Sequence, residues 1–441
     1  MTFPRYPAYK DSGVAWLGEV PEHWTVVPLK FVAKVQTGVA KGKDNSGRAT
    51  IQVPYMRVAN VQDGFLDLNS VAEIEIPIDD LPRYRLQKGD VLMNEGGDFD
   101  KLGRGHIWDA SISPCIHQNH VFAVRPHGVG PTWLNTITGS QYAQFYFMTR
   151  SKQSTNLASI SSTNLMELPV VMPPVVEQTQ IAAFLDRETA KIDALVTEQR
   201  RLMELLKEKR QAVISHAVTR GLNPDAPMKP SGIEWLGDVP EHWGIGSLGY
   251  LASIQTGSTP DRAMPEYWEG DIPWLKTGEI NYERIVDSEE RITESGLANS
   301  AARVAEVGTL MMAMYGQGVT RGRVAILGIR ASYNQACAAI SFGPKLFNEY
   351  ARYFFMMAYR FIRDTGNETS QMNLGSGTIA KIKILMPPLD EQRQIVSMLQ
   401  NELSVFDTLT TEAQRAIDLL QERRTALISA AVTGQIDVRQ P

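Results

Sequence analysis

Two segments of the chain repeat apolar residues at a spacing of three and four, which is the pattern of an amphipathic helix. Each follows a Met-Pro-Pro break, and Gly221 and Gly434 stand where the C-terminus of such a helix favours glycine. We predict helices at about 177–219 and 391–433, each about 60 Å long. Their heptad-like stripes favour a two-helix coiled coil over single helices lying on a globular core. The stripes comprise Leu185, Ile192, Leu195, Leu202, Leu206 and Val213, and Leu399, Phe406, Leu409, Ala416, Leu420 and Leu427.

The residues before each stripe have a different pattern, with short β-rich runs separated by Gly, Pro, Asn and Asp. These runs include VPYMRVANV, DVLMN, HVFAV, GTLMMAM and RVAIL. Apolar helical stretches lie near 140–150 and 347–363. The regions of about 25–170 and 244–386 are therefore predicted to be α+β domains built on a mainly antiparallel sheet.

The chain contains one repeated unit written twice. SGVAWLGEVPEHW opens residues 12–38 and SGIEWLGDVPEHW opens residues 231–257, and the two windows match at 15 of 27 positions. Two later pairs match at an offset of 214 residues: MPPVVEQTQIAAFLD (172–186) with MPPLDEQRQIVSMLQ (386–400), and LLKEKRQAVISHAVT (205–219) with LLQERRTALISAAVT (419–433). We call these matching segments the frame; the interiors between them look dissimilar in sequence.

Composition restricts the function. The net charge of −5 over 441 residues argues against a protein that coats nucleic acid indiscriminately, so DNA contacts must come from local basic loops or a basic partner. No apolar run is long enough for a membrane span, and the N-terminus lacks the apolar stretch of a secretory signal. The two cysteines, Cys115 and Cys337, are expected to be buried free thiols in a reducing cytoplasm.

The sequence lacks recognisable catalytic motifs, so we predict that the chain has no catalytic residues, no cofactor and no metal. No phosphate-binding loop is present, and residues 38–44 lack its spacing. The Asn- or Asp-Pro-Pro-aromatic motif of an amino-methylating enzyme is also missing. His23 and His242 lie in the repeated PEHW motif, where the surrounding Trp and Val residues indicate packing rather than chemistry.

The frame motifs together identify a family resemblance. WLGxVPEHW, the QTG turn, MPPxxEQxxI and LLxExRxxxIxxAVT, in this order and twice, resemble the specificity subunit of type I restriction–modification systems. The resemblance covers essentially the whole chain. It implies an α+β fold with two pseudo-symmetric target recognition domains separated by an antiparallel two-helix coiled coil. The expected segments are a first recognition domain (1–170), a central helical spacer (171–222), a second recognition domain (223–386) and a distal helical spacer (387–441).

The resemblance also implies the function and the partners. Each recognition domain would read one half of a bipartite, asymmetric double-stranded DNA target. The helices would dock two methyltransferase subunits, which supply S-adenosylmethionine binding and adenine N6 methylation. Motor–nuclease subunits would add ATP-driven translocation and cleavage, and no membrane is involved. The chain itself would be a cytoplasmic, non-catalytic specificity subunit.

Basic and amide residues in glycine-rich loops of the interiors are the best candidates for DNA contacts, because arginine can pair with guanine and lysine with phosphate. Each could instead be a solvated surface charge. The candidates are Lys41, Lys43, Asn45, Arg48, Lys101 and Arg104 in the first domain, and Arg262, Arg321 and Arg323 in the second. Gln118-Asn119 and Asn334-Gln335 recur in both halves and could either hold a turn or read a base.

Two other functions compete with DNA recognition. A scaffold that binds only protein would use the repeat for symmetric assembly, and the nearly neutral interiors favour it slightly. A fragment of a fused methyltransferase–nuclease is the second alternative, and the missing cofactor and catalytic motifs argue against it. A gel shift with the methyltransferase added separates DNA recognition from the scaffold, which predicts no sequence-selective shift.

The spacer helices are expected to set the distance between the two half-sites. Inserting four residues near Arg200 adds about 6 Å and close to a full helical turn. Since DNA rises about 3.4 Å per base pair, both half-sites should be kept and their gap should widen by about one or two base pairs. A two-residue insertion turns the apolar stripe to the wrong face and should abolish assembly. Methylome mapping checks both variants, and an unchanged gap in an active four-residue variant contradicts the expectation.

Overall fold

The computed structural model describes residues 3–439 apart from 43–44, 98–101, 104, 155–156, 317–318 and 365–373. It forms two compact units. The first unit contains residues Met1–Arg200 and Gln414–Pro441, and the second contains Arg201–Ala413. Each predicted helical spacer therefore contributes residues to both units.

The elements of the first unit begin at the N-terminus and end with the first long helix, α5, whose last residues belong to the second unit. The strands are β1 (Tyr9–Asp11), β2 (Glu19–Pro21), β3 (Thr25–Pro28), β4 (Ala33–Thr37), β5 (Thr50–Met56), β6 (Ala72–Pro77), β7 (Val91–Asn94), β8 (Gly96–Gly97), β9 (Gly105–Ile107), β10 (Ile116–His117), β11 (Val121–Pro126), β12 (Lys152–Ser154), β13 (Leu157–Ser159) and β14 (Pro169–Met172). The helices are α1 (Leu81–Tyr84), α2 (Pro131–Thr138), α3 (Gln141–Arg150), α4 (Ser162–Met166) and α5 (Val175–Arg220).

The remaining elements belong to the second unit, apart from the C-terminal part of the second long helix, α11. The strands are β15 (Met228–Pro230), β16 (Asp238–Pro240), β17 (Gly244–Ser247), β18 (Ala252–Thr256), β19 (Trp268–Leu275), β20 (Glu290–Ile292), β21 (Val304–Ala305), β22 (Leu310–Ala313), β23 (Val324–Ile326), β24 (Ala331–Tyr333), β25 (Cys337–Phe342) and β26 (Lys383–Met386). The helices are α6 (Leu248–Leu251), α7 (Glu294–Ala298), α8 (Asn348–Met357), α9 (Tyr359–Asp364), α10 (Ser376–Lys381) and α11 (Leu389–Val432).

The two interiors share one sheet topology although their sequences look dissimilar. The order β4-β11-β7-β9 in the first unit matches β18-β25-β22-β23 in the second, and β6-β5-β10 matches β20-β19-β24. In both units the smaller sheet contains one parallel pairing, β10 with β5 and β24 with β19, whereas β5 with β6 and β19 with β20 are antiparallel. The first unit adds β12-β13-β8 and the second adds β21. The predicted α+β interior with a mainly antiparallel sheet is confirmed.

The two long helices have nearly the predicted bounds, but part of the predicted apolar seam is wrong. Leu206 is 8% exposed, as expected of a seam residue, whereas Leu195 is 51%, Leu202 is 40% and Leu409 is 44% exposed. Five predicted positions are buried, and the buried stripe adds five others. The confirmed positions are Leu185, Ile192, Leu206, Leu399 and Phe406, and the added ones are Val196, Ile214, Leu403, Ala413 and Ile417. The 3–4 spacing of the stripe passes through half-buried polar positions such as Gln199 and Arg210. Counting only apolar residues therefore included some leucines that lie on the neighbouring, exposed face of the helix.

Within each unit the two helices pair antiparallel, and an ion pair recurs at the repeat offset. In the first unit Arg424 Nε lies 3.0 Å from Asp193 Oδ1. In the second unit Arg210 pairs with Asp407. Asp407 is the repeat counterpart of Asp193, and Arg424 that of Arg210, both at the frame offset of 214 residues. The frame thus encodes the helix register twice.

A repeated glutamate ties the PEHW motif to the start of each long helix. In the first unit Trp24 Nε1 donates to Glu177 Oε2 at 2.9 Å, and His23 Nε2 lies 2.7 Å from Glu177 Oε1. In the second unit Trp243 Nε1 donates to Glu391 Oε2 at 3.1 Å, and His242 Nε2 lies 2.8 Å from the same oxygen. Both tryptophans are fully buried. The predicted packing role of PEHW is confirmed.

Each long helix ends at a glycine against one of these tryptophans. Gly221 (φ +75°) closes α5, and a Cβ there would lie 3.1 Å from Trp243. Gly434 (φ +73°) closes α11, and a Cβ there would lie 2.9 Å from Trp24 and closer still to Pro21. Because a left-handed conformation and a close approach coincide, both positions require glycine.

The glycine of each QTG turn contacts the backbone of the loop that contains the repeated Gln-Asn or Asn-Gln pair. A Cβ on Gly38 would lie 2.0 Å from the His117 carbonyl oxygen, and one on Gly257 would lie 1.9 Å from the Tyr333 carbonyl oxygen. No carbon atom fits at these distances, so any side chain forces the two segments apart. This close approach fixes the position of the chain that follows each QTG turn.

Gly257→Ala is therefore expected to destabilise the second unit by at least about 1–3 kcal/mol, the usual cost of overpacking. The measurement is the melting temperature of the full chain. Gly278→Ala is the matched control, because a Cβ there meets nothing within 4 Å and Gly278 has no left-handed φ. Equal melting temperatures for the two variants would show that the second unit tolerates the added methyl group.

Candidate nucleic-acid interface

The predicted DNA contacts fall on two loops that occupy equivalent places in the two units. One loop follows the QTG turn, between β4 and β5 in the first unit and between β18 and β19 in the second. The other joins β7 to β9, by way of the short strand β8, and β22 to β23. The post-QTG loop contains Lys41, Lys43, Asn45 and Arg48 in the first unit and Arg262 in the second. The other loop contains Lys101 and Arg104 in the first unit, and Arg321 and Arg323 in the second. Lys43, Lys101 and Arg104 are outside the described residues.

The post-QTG loop of the first unit is exposed and held by its neighbours. Asn45 Nδ2 donates to the Glu75 carbonyl oxygen at 3.2 Å. Arg48 forms an exposed ion pair with Asp80 at 3.3 Å. Lys41 is exposed and lines, with Asn45 and Tyr84, a cavity of about 230 Å³. An exposed pair of this kind is worth little energy, so Asp80 holds the Arg48 side chain only weakly.

Arg262 lies on the corresponding loop of the second unit in a more defined setting. Its guanidinium carbon lies 3.8 Å from the Trp268 ring centroid and 5.0 Å from that of Trp274. Arg262 Nη1 lies 2.6 Å from Glu290 Oε2, while 54% of the Arg262 side chain is exposed. The adjacent Arg262 guanidinium, and secondarily Lys276, hold the pKa of the Glu290 carboxyl below its usual value.

The two arginines of the TRGR sequence differ in accessibility. Arg321 is 6% exposed and donates from Nη2 to the Arg363 carbonyl oxygen. It is therefore held in the interior of the second unit rather than presented on its surface. Arg323 is half-buried, with its guanidinium 5.8 Å from the Tyr282 ring centroid.

Each unit has one further cation at an equivalent position, and neither was among the predicted contact residues. Arg57 and Lys276 directly follow β5 and β19, and they are separated by the 219 residues that relate the two QTG turns. The backbone N–H of Arg57 donates to Asn60 Oδ1 at 3.0 Å, and that of Lys276 donates to Glu279 Oε1 at 2.8 Å. Their separation, which equals that of the QTG turns, is the sequence signal that could have identified them.

The histidines and cysteines give no sign of a metal centre. His117 is buried with Nδ1 2.7 Å from the Val121 carbonyl oxygen, and His120 Nδ1 lies 2.9 Å from Glu95. Within the described part of the chain, no group of three or more His, Cys, Asp or Glu is placed to hold a metal ion. Cys115 and Cys337 are buried free thiols, as predicted, and burial raises the pKa of Cys115 to about 12. The described helices include none with the length and apolar character of a bilayer span.

Comparison with known families identifies the class of protein. A family profile described as the type I restriction modification DNA specificity domain matches residues 21–204 and again residues 240–419. One match falls in each repeat, and together they cover most of the chain. The chain therefore belongs to this family, and its role is DNA sequence recognition rather than catalysis.

Curated relatives extend the similarity over nearly the whole chain. The putative type I restriction enzyme MjaX specificity subunit of Methanocaldococcus jannaschii is 24% identical over 430 residues, which cover 96% of each chain. The type I restriction enzyme EcoKI specificity subunit of Escherichia coli K12 is 20% identical over 439 residues, covering 95% of this chain and 90% of the relative. The family resemblance drawn from the frame motifs is confirmed.

Solved structures show the same fold. A chain from a study of complex assembly and conformational transition of the type I R-M system aligns with a TM-score of 0.74 at 15% identity, covering 95% of this chain and 99% of that chain. The HsdS subunit from Thermoanaerobacter tengcongensis aligns with a TM-score of 0.55 at 14% identity, covering 95% and 98% respectively. The predicted architecture of two repeated α+β domains with long helices is confirmed.

Proposed function

We propose that each unit reads one half of a bipartite, asymmetric double-stranded DNA target. The observation that carries this proposal is the contrast between frame and interior. The frame repeats its side-chain contacts, such as Trp24 with Glu177 and Trp243 with Glu391. The loops that follow the QTG turns occupy equivalent places yet present different side chains, Lys41 and Asn45 against Arg262. One fold with two different sets of contact residues suits two different half-sites.

The long helices are proposed to dock two methyltransferase subunits, with motor–nuclease subunits joining the full complex. The repeated ion pairs support this, because Asp193 with Arg424 and Asp407 with Arg210 join the two helices in the same way in each unit. Two identical partners can therefore bind in the same way. The MjaX and EcoKI relatives are named as specificity subunits of type I restriction enzymes. In this proposal the complex that contains the present chain acts on DNA in the cytoplasm.

A gel-shift experiment separates this proposal from a protein-only scaffold. The full chain is combined with its cognate methyltransferase subunit and a pool of duplexes with two randomised half-sites. Retained duplexes should share a two-part sequence, with affinity that falls as salt rises because phosphate contacts release counterions. Retention without any shared sequence would favour non-specific binding, and no retention at any salt concentration would favour the scaffold. The chain alone should transfer no methyl groups.

A further inference from the structure

The loop that follows the second QTG turn is fixed at several points before it reaches Arg262. Trp274 Nε1 donates to the Ser258 carbonyl oxygen at 3.0 Å, and Thr259 Oγ1 donates to Gln335 Oε1 at 2.6 Å. Trp268 Nε1 donates to the Asp261 carbonyl oxygen at 3.1 Å. Together with the close approach of the QTG glycine, these bonds hold the backbone on which Arg262 stands.

Arg262 lies over a platform formed by the Trp268 and Trp274 rings, and β19, which carries both residues, is irregular there. The register of β19 against β20 shifts between Trp268 and Ile272, and Glu269 has a φ of +60°. Bulges of this kind re-aim side chains, and an unfavourable backbone conformation persists only where its surroundings hold it. The Trp268 and Trp274 rings meet edge to face, with centroids 5.1 Å apart and an interplanar angle of 90°. Arg262 covers the face of Trp268.

We propose, resting on the function proposed above, that Arg262 reads a guanine in the half-site of the second unit, with Trp268 and Glu290 as its positioning residues. The planar guanidinium is stacked on one face and paired with a carboxylate, yet more than half of the side chain is exposed. Stacking and pairing reduce the side-chain entropy that binding would otherwise remove. The exposed N–H groups then meet the N7 and O6 acceptors that guanine presents in the major groove.

The charges around Arg262 favour a base over a backbone phosphate. Lys276 Nζ lies 3.0 Å from both Glu289 and Glu290, so its charge is already paired with carboxylates. The two cations and two carboxylates of this cluster cancel, so it has no net positive charge to attract a phosphate, whereas guanine is uncharged and requires only N–H donors. A lysine, Lys43, stands at the same distance from the first QTG turn as Arg262 from the second, five residues after the glycine. The same loop position thus carries a cation in both repeats but a different side chain.

The test measures base preference. The full chain with its cognate methyltransferase subunit selects duplexes from a pool with both half-sites randomised. Arg262→Lys and Arg262→Ala should lower the preference for one G·C pair in one half-site by about 5- to 150-fold, and leave the other half-site unchanged. Glu290→Gln should lower the same preference while raising affinity for unrelated DNA, because a negative charge is removed. If Glu290 had a purely structural role, its replacement would not lower the base preference while raising the affinity for unrelated DNA.

Arg330→Ala is the matched control, since Arg330 forms an exposed ion pair with Glu306 at 3.2 Å on the same unit. It should keep every base preference. If Arg262→Ala lowers the melting temperature, Arg262→Lys decides the result, because it keeps the charge and most of the aliphatic chain. Unchanged preferences in a folded Arg262→Lys protein overturn the inference alone. A wild-type chain without sequence preference overturns the proposed function as well.

Discussion

A chimera with residues 25–172 taken from another family member should recognise a hybrid target, with one new half-site and one original half-site. These limits follow the structure, because β3 and β14 pair with each other, Thr25 opposite Met172, and so move together. A narrower exchange, of residues 41–160, would leave β4 of the host against β11 of the donor, since Lys34 pairs with Arg125 across them. The wider exchange should therefore fold more reliably while changing the same half-site.

The expected effect on binding is large. Each mismatched base pair in a specific site costs about 1–3 kcal/mol, so two changed base pairs lower affinity for the original target by at least about 30-fold. Methylome sequencing of cells that express the chimera with its partner subunits gives the target directly. The reciprocal exchange of 244–386 serves as the control and should change only the other half. Simultaneous change of both halves in either chimera would mean that the units do not read separately.

Replacing Trp243 with alanine should unfold or severely loosen the second unit. Trp243 is fully buried, donates to Glu391 and packs against the glycine that ends α5. Removal of a buried tryptophan typically costs about 3–5 kcal/mol, and here Glu391 also loses a hydrogen-bond donor in a partly buried position. This is a large fraction of the stability of an ordinary domain.

The control for Trp243→Ala is Tyr250→Ala, since Tyr250 lies in the same unit and is 93% exposed. Its effect should stay within about 0.5 kcal/mol. Melting followed by tryptophan fluorescence and by circular dichroism compares the two proteins. A Trp243→Ala protein that melts like wild type would show that the frame contact does not stabilise the unit.

The frame could be predicted from sequence because its signals are local and repeated. Gly221 and Gly434 marked the helix ends, and the structure places both in the left-handed conformation. The seam was predicted less well, because Leu195 and Leu202 have suitable spacing but the wrong phase. A half-buried arginine, Arg210, occupies one position of the stripe, where it pairs with Asp407. A count of apolar residues cannot recover a seam that includes a paired charge.

The candidate site depends on contacts that no local pattern encodes. Arg321 and Arg323 lie two residues apart in a glycine-rich sequence, yet one is buried and the other is half-buried. In the sequence Arg262 is an isolated cation. Its contacts with the Trp268 ring and with Glu290 form only in the folded unit. Long-range pairs of this kind depend on the tertiary fold. The sequence could therefore indicate the post-QTG loop, but not the tryptophan rings on which Arg262 lies.

The division of the chain into its two units has a consequence for biosynthesis. The second unit is contiguous, residues Arg201–Ala413, whereas the first unit combines Met1–Arg200 with Gln414–Pro441. On the ribosome, residues 1–200 must therefore wait for residues 414–441, because Ala431 and Val432 complete the core that contains Trp24. The half synthesised second can finish its own core earlier. Until residues 414–441 have been made, the nascent first unit exposes apolar surface that folding chaperones can bind.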